Sequence, residues 1–170
     1  MADMTLSQAL RQVKKIKGDL KERLDRSKAA VTYKAENPPA FAFGQCTEQA
    51  ETLRQKLVTL QTRVAVTNAL TKVEIDGQVV VLAWAVRHLE ELKSRISWLK
   101  ELPVRAQKDT KEEDWDYDDD GKRRRVQVPW KCDLPEAERA SQVEKLQADF
   151  DRCNDAVEKA NHATILAPAW

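Results

Sequence analysis

Apolar residues return at every third or fourth position through four long stretches of this chain. That recurrence restricts it to helices that each bury one side. In the first stretch, "TLSQ" sets Gln8 three residues after Thr5, the capping-box arrangement that satisfies orphan N–H groups at a helix start. Leu6, Leu10, Val13, Ile16, Leu20, Leu24 and Val31 then form a single stripe among charged neighbours. The stripe stops before "ENPPAFAFG", whose two prolines cannot continue a helix. A helix over about 5–31 follows. Ala50, Leu53, Leu57, Leu60, Val64 and Thr67 predict a second over about 47–68, opening near Thr47. Leu82, Val86, Leu89, Leu92 or Lys93, Ile96 and Leu99 predict a third over about 80–102, stopped by Pro103. Val143, Leu146, Phe150, Cys153, Val157, Ala160 and Thr164 predict a fourth over about 134–164, with Asp133 or Pro135 at its start.

Four helices with one stripe apiece are most simply buried as an up-down bundle. The 170 residues suit a single domain, 1–170, with a sizeable core. Only 4 glycines and 34% charged residues agree with long helices rather than many turns. The expected class is therefore mainly α, an up-down four-helix bundle with one or two short β-hairpins. One hairpin is predicted over about 71–81, where "TKVEIDGQVVV" changes to period two around an Asp-Gly turn.

The second is predicted over about 114–128, within "EEDWDYDDDGKRRRVQV". "DYDDDG" opens like a calcium loop, with acids at positions one, three and five and glycine at six. The twelfth position, however, is Gln127, and Arg123, Arg124 and Arg125 crowd the middle. A hairpin turning at Asp120-Gly121 accounts for more residues. It sets Asp119 across from Lys122, Asp118 from Arg123 and Asp116 from Arg125, each pair worth about 0.2–1 kcal/mol. Alternation then gathers Trp115, Tyr117, Arg124 and Val126 on the other face. Arg124 there is available to an anionic group and Trp115 or Tyr117 to a planar ring, with Trp130 and Lys131 following directly.

Other chemistry is sparse. Cys46, Cys132 and Cys153 are odd in number and far apart, without metal-ligand spacing, and free thiols fit a reducing cytoplasm. The two histidines, His88 and His162, lack the paired Glu-x-x-His motifs of di-iron bundles. No phosphate-cradling glycine loop or nucleophile motif is present, so neither an enzyme, a metal nor a cofactor is expected. The longest apolar run, "VVVLAWAV", is too short to span a membrane. A net charge of +1 argues against general nucleic-acid binding unless a local patch supports it. Asn68, Asn154 and Asn161 lie beside the stripes. They either fix helix register or, with Arg87, orient a ligand between helices.

"MTLSQALRQ", "TNALT", "IDGQVVVLAWAVRHLEELKSRISWL" and "EKANHATIL" together resemble the small bacterial and phage helical-bundle family termed septicolysin-like. Asn68, Gly77, Arg87, Arg95 and Asn161 are the sharper points of likeness. His162 stands where the family usually has Trp, and the acidic run before Gly121 is longer than the family's. The resemblance implies a four-helix bundle with a small β-element, assembled as an oligomer. The expectation for function is a non-enzymatic cytoplasmic homo-oligomer holding a small anionic, nucleotide-like ligand. Its candidate contacts are Arg124, Trp115, Tyr117, Trp130, Arg87, Asn68 and Asn161. In a phage setting such a protein would sequester a host defence signal. The alternative is a structural or adaptor protein that contacts another protein through its helices.

Overall fold

The computed structural model describes residues 4–104, 111–117, 119–129 and 131–168. They form α1 (Leu6–Ala29), α2 (Phe43–Leu70), β1 (Lys72–Ile75), β2 (Gln78–Val81), α3 (Leu82–Glu101), β3 (Lys111–Tyr117), β4 (Arg123–Pro129) and α4 (Glu136–Ala163). The fold is mainly α, with four helices and two antiparallel two-stranded sheets among the described residues. Its contacts gather into two compact units, Met1–Val86 with Asp155–Trp170, and Arg87–Asn154. Both α3 and α4 contribute to each unit.

In the first unit, α1 opens on the predicted capping box. Thr5 N–H donates to Gln8 Oε1 at 2.9 Å and Gln8 N–H to Thr5 Oγ1 at 3.3 Å. α1 and α2 pack along each other in opposite directions. Their buried positions are mostly small: Ala9 and Ser27 on α1, Cys46 and Ala50 on α2, and Ala30 just past α1. Small side chains let two helix axes approach closely. Leu6 and Leu60 add bulk.

α2 starts four residues before the expected Thr47. Thr47 is not its cap. The hydroxyl turns back to the carbonyls of Phe43 (3.1 Å) and Gly44 (2.9 Å), the back-bonding of a threonine already inside a helix. The cap position is Ala42, which offers no side-chain bond. The stripe on α1 is also less complete than its spacing suggests, since Leu10 is 41% exposed and Val31 lies beyond the helix.

The β1–β2 hairpin has the predicted register, with Ile75 opposite Gln78. Asp76 and Gly77 both take positive φ, 50° and 78°, as a two-residue turn of this hand requires. β2 keeps 80–81 from α3, so that helix begins at Leu82 rather than Val80. The Leu82 N–H donates to Thr71 O at 2.8 Å and closes the hairpin base.

The segment after α4 completes this unit. Leu6 N–H donates to Thr164 O (2.9 Å), Leu166 N–H to Met4 O (2.8 Å), and Thr5 and Ile165 form an antiparallel bridge. On its other side Arg63 Nε donates to Ala167 O at 2.7 Å, and Ala167 N–H donates to the Thr67 hydroxyl at 2.9 Å. The segment thus runs between the start of α1 and the end of α2, with Leu166 buried.

In the second unit, Leu92, Ile96 and Leu99 form the buried side of α3, and Cys153 is buried on α4. α4 begins at Glu136, with Pro135 O accepting from Arg139 N–H at 2.9 Å. Arg139 also finishes α3. Its guanidinium donates to the carbonyls of Leu102 (3.1 Å) and Lys100 (3.4 Å) and pairs with Glu136 at 2.6 Å. A cation thereby serves carbonyls that a helix end leaves without partners.

Candidate functional site

The β3–β4 hairpin corrects the expected register by one residue. Asp116 faces Arg124, Trp115 faces Arg125 and Tyr117 faces Arg123. The reason is the connection. Five residues, 118–122, join the strands in place of a two-residue Asp120-Gly121 turn, and Gly121 takes a φ of 75° within it. Because strand side chains alternate, one residue of slip exchanges the faces. The expected pairing of Asp116 with Arg125 does not form, and Asp118, expected across from Arg123, lies outside the described residues.

One face instead carries Trp115, Tyr117, Arg123 and Arg125. The Arg123 guanidinium lies 4.4 Å from the centre of the Trp115 ring and that of Arg125 5.2 Å, both within cation–π range. Arg125 also pairs with Glu113 at 3.2 Å. Trp115 is 46% and Tyr117 67% exposed. The other face carries Asp114, Asp116, Arg124 and half-buried Val126. Asp114 and Asp116 each accept the N–H of the next residue, at 2.7 and 2.8 Å, so Asp116 turns to its own strand and not to Arg124. Arg124 is therefore separated from Trp115 and Tyr117, contrary to the sequence expectation.

The remaining expected residues are not gathered at the hairpin. Arg87 is an exposed residue of α3 that pairs with Glu90 at 2.7 Å. Asn68 and Asn161 belong to the first unit. Asn68, in the last turn of α2, keeps a buried Oδ1 with no hydrogen-bond partner. Asn161 lines a groove between α1 and α4 with Arg11 and Lys14. Trp130, and likewise Trp170, lies outside the described residues.

Sequence reasoning missed Arg123 and Arg125 as partners of Trp115. The signal available was the count of residues between the strands, which the strong Asp-Gly pair obscured. It also missed Arg11 and Lys14, whose spacing of three already set them on one side of α1. No group of three or more His, Cys, Asp or Glu side chains gathers as a metal-binding set among the described residues. No described helix is long and apolar enough to cross a membrane. No family model, curated protein or solved structure matches the chain.

Proposed function

We propose that this chain is a non-enzymatic, homo-oligomeric binding protein of the cytoplasm, a septicolysin-like up-down bundle that holds a small anionic, nucleotide-like ligand. One observation carries the reading: an exposed tryptophan holds two guanidinium groups beside an exposed tyrosine on one strand face. Stacking on Trp115 orients the Arg123 and Arg125 forks at a cost already met in the unliganded protein, and such forks match phosphate oxygens. Tyr117 stands directly across from Arg123 and offers a ring on which a base can stack. Arg125 is partly engaged by Glu113, so Arg123 is the first anion contact. In a phage setting the activity is sequestration of a host nucleotide signal.

The alternative, an adaptor, draws on Trp98, which is 60% exposed on α3. Native mass spectrometry on freshly purified protein, followed by calorimetric titration with mono-, di- and cyclic nucleotides, separates the two. An oligomer with releasable mass, whose rebinding weakens at least about tenfold in Arg123→Ala and Trp115→Ala, supports the binding reading. Undiminished binding in both variants removes the hairpin from it, and a bare oligomer that takes up no nucleotide favours the adaptor.

A further inference from the structure

α1 divides into two halves of different charge chemistry. Its second half is laced with ion pairs, Arg26 with Glu22 and Lys28 with Asp25. Its first half, residues 6–18, carries Arg11, Lys14, Lys15 and Lys17 and no acid at all. Cations three and four apart on one helix repel one another, and an acid one turn away ordinarily relieves this. Asp19 stands one turn from Lys15, but no acid lies three or four residues from Arg11 or Lys14, in a chain whose total charge is only +1.

Two of these cations border a groove of about 380 Å³ within the first unit. α1 contributes Ser7, Arg11 and Lys14, with Leu10 between them, and the last turns of α4 contribute Glu158, Asn161 and His162. Arg11 and Lys14 make no ion pair or hydrogen bond to a described residue, and Glu158 shares the groove without pairing to either. Ser7 and Asn161 are half-buried in the wall, and the Asn161 amide has no hydrogen-bond partner among the described residues. Leu10, 41% exposed, lies at this opening.

We infer that the α1–α4 groove is a second anion site, specific for a phosphate-type anion that keeps one proton, such as hydrogen phosphate, hydrogen pyrophosphate or the monoprotonated terminal phosphate of a small metabolite. Arg11 and Lys14 supply the charge, Asn161 and Ser7 supply neutral donors from the wall, and His162 borders the opposite side. Glu158 sets a requirement on the ligand. A phosphate oxygen that carries a proton can donate to that carboxylate, whereas a fully ionised sulfate has no proton to give and is repelled. The groove therefore prefers phosphate and pyrophosphate to sulfate. The site is independent of the hairpin and of the reading built on it.

The test is a calorimetric titration of the full chain with inorganic pyrophosphate, and with sulfate at matched ionic strength. The expected result is saturable binding tighter than about 1 mM for pyrophosphate and weaker binding of sulfate. Arg11→Gln with Lys14→Gln is expected to weaken it at least about tenfold, Asn161→Ala by about threefold or more, and Trp115→Ala not at all. The double glutamine variant removes exposed, uncompensated charge, so its Tm should equal or exceed that of the parent. A linear, non-saturating response overturns the inference. So does full retention in the double variant, or loss in Trp115→Ala, which moves the anion to the hairpin.

Discussion

Replacing Thr67 by valine removes one hydroxyl, at nearly constant shape, from the point where the segment after α4 is fastened to α2. Thr67 is 3% exposed. Its Oγ1 donates to Arg63 O at 2.7 Å and accepts the Ala167 N–H at 2.9 Å. These are unequal losses. A mid-helix carbonyl such as Arg63 O keeps its backbone bond, whereas the Ala167 N–H loses its partner. Leaving a buried donor unpaired costs about 1–3 kcal/mol, and because Ala167 is half-buried the lower part applies, about 1–2 kcal/mol.

Arg63→Ala deletes the neighbouring bond from Nε to Ala167 O, at 2.7 Å, and is expected to cost about 1.5–3 kcal/mol. Both side chains hold the same residue. Once either releases it, the other has less to lose, so the double variant should fall short of the sum by about 0.5–2 kcal/mol. At about 2–4 °C per kcal/mol for a chain of this size, Thr67→Val lowers Tm by roughly 2–8 °C, and Thr67→Ser restores it. Urea titration measures the free energies, and hydrogen exchange at the Leu166 and Ala167 amides reports the segment itself. If valine costs less than about 0.5 kcal/mol and exchange there does not accelerate, the hydroxyl is not what fastens the segment.

The hairpin register can be read by crosslinking. In a Cys132→Ser background, Asp116→Cys with Arg124→Cys should form a disulfide on mild oxidation, while Asp116→Cys with Arg125→Cys should not; the reverse pattern restores the two-residue turn. Arg139→Ala removes the cation from the carbonyls of Lys100 and Leu102. It should cost about 1–2 kcal/mol and speed exchange in the final turn of α3; an unchanged urea midpoint counts against that capping role. Thiol titration should find Cys132 reacting at once and Cys46 and Cys153 only on unfolding, because the latter two are buried. Three fast thiols per chain contradict that burial.

Where local rules decide the outcome, the sequence is a good guide. Thr5 and Gln8 make their capping box, Asp76-Gly77 make their turn, and Leu82, Leu92, Ile96 and Leu99 are buried as their spacing on α3 requires. Where two local rules compete, it is not. Thr47 has the chemistry of a cap, yet small buried residues continue the α1–α2 contact past it and draw Phe43 and Gly44 into the helix. Asp120-Gly121 is a turn signal as strong as Asp76-Gly77. In β3–β4, however, the strands end at Tyr117 and begin again at Arg123, and Trp115 meets Arg123 and Arg125 instead of sharing its face with Arg124. The candidate ligand face was therefore legible in residue type but not in side, since a slip of one residue leaves composition untouched and reverses every neighbour.

The bridge between Thr5 and Ile165 has a consequence for the order in which the molecule can be made. Its first unit is discontinuous, with 87–154 intervening between its two parts. During synthesis α1, α2 and the first hairpin emerge early but must wait for residues 155–168 before Leu6, Arg63 and Thr67 find their partners. At about 5–20 residues per second, that interval lasts several seconds. Throughout it the start of α1 and the end of α2, around Leu6 and Thr67, lack that cover and are available to chaperones. The second unit, whose residues are consecutive, meets no such delay and is placed to fold while the first is still waiting.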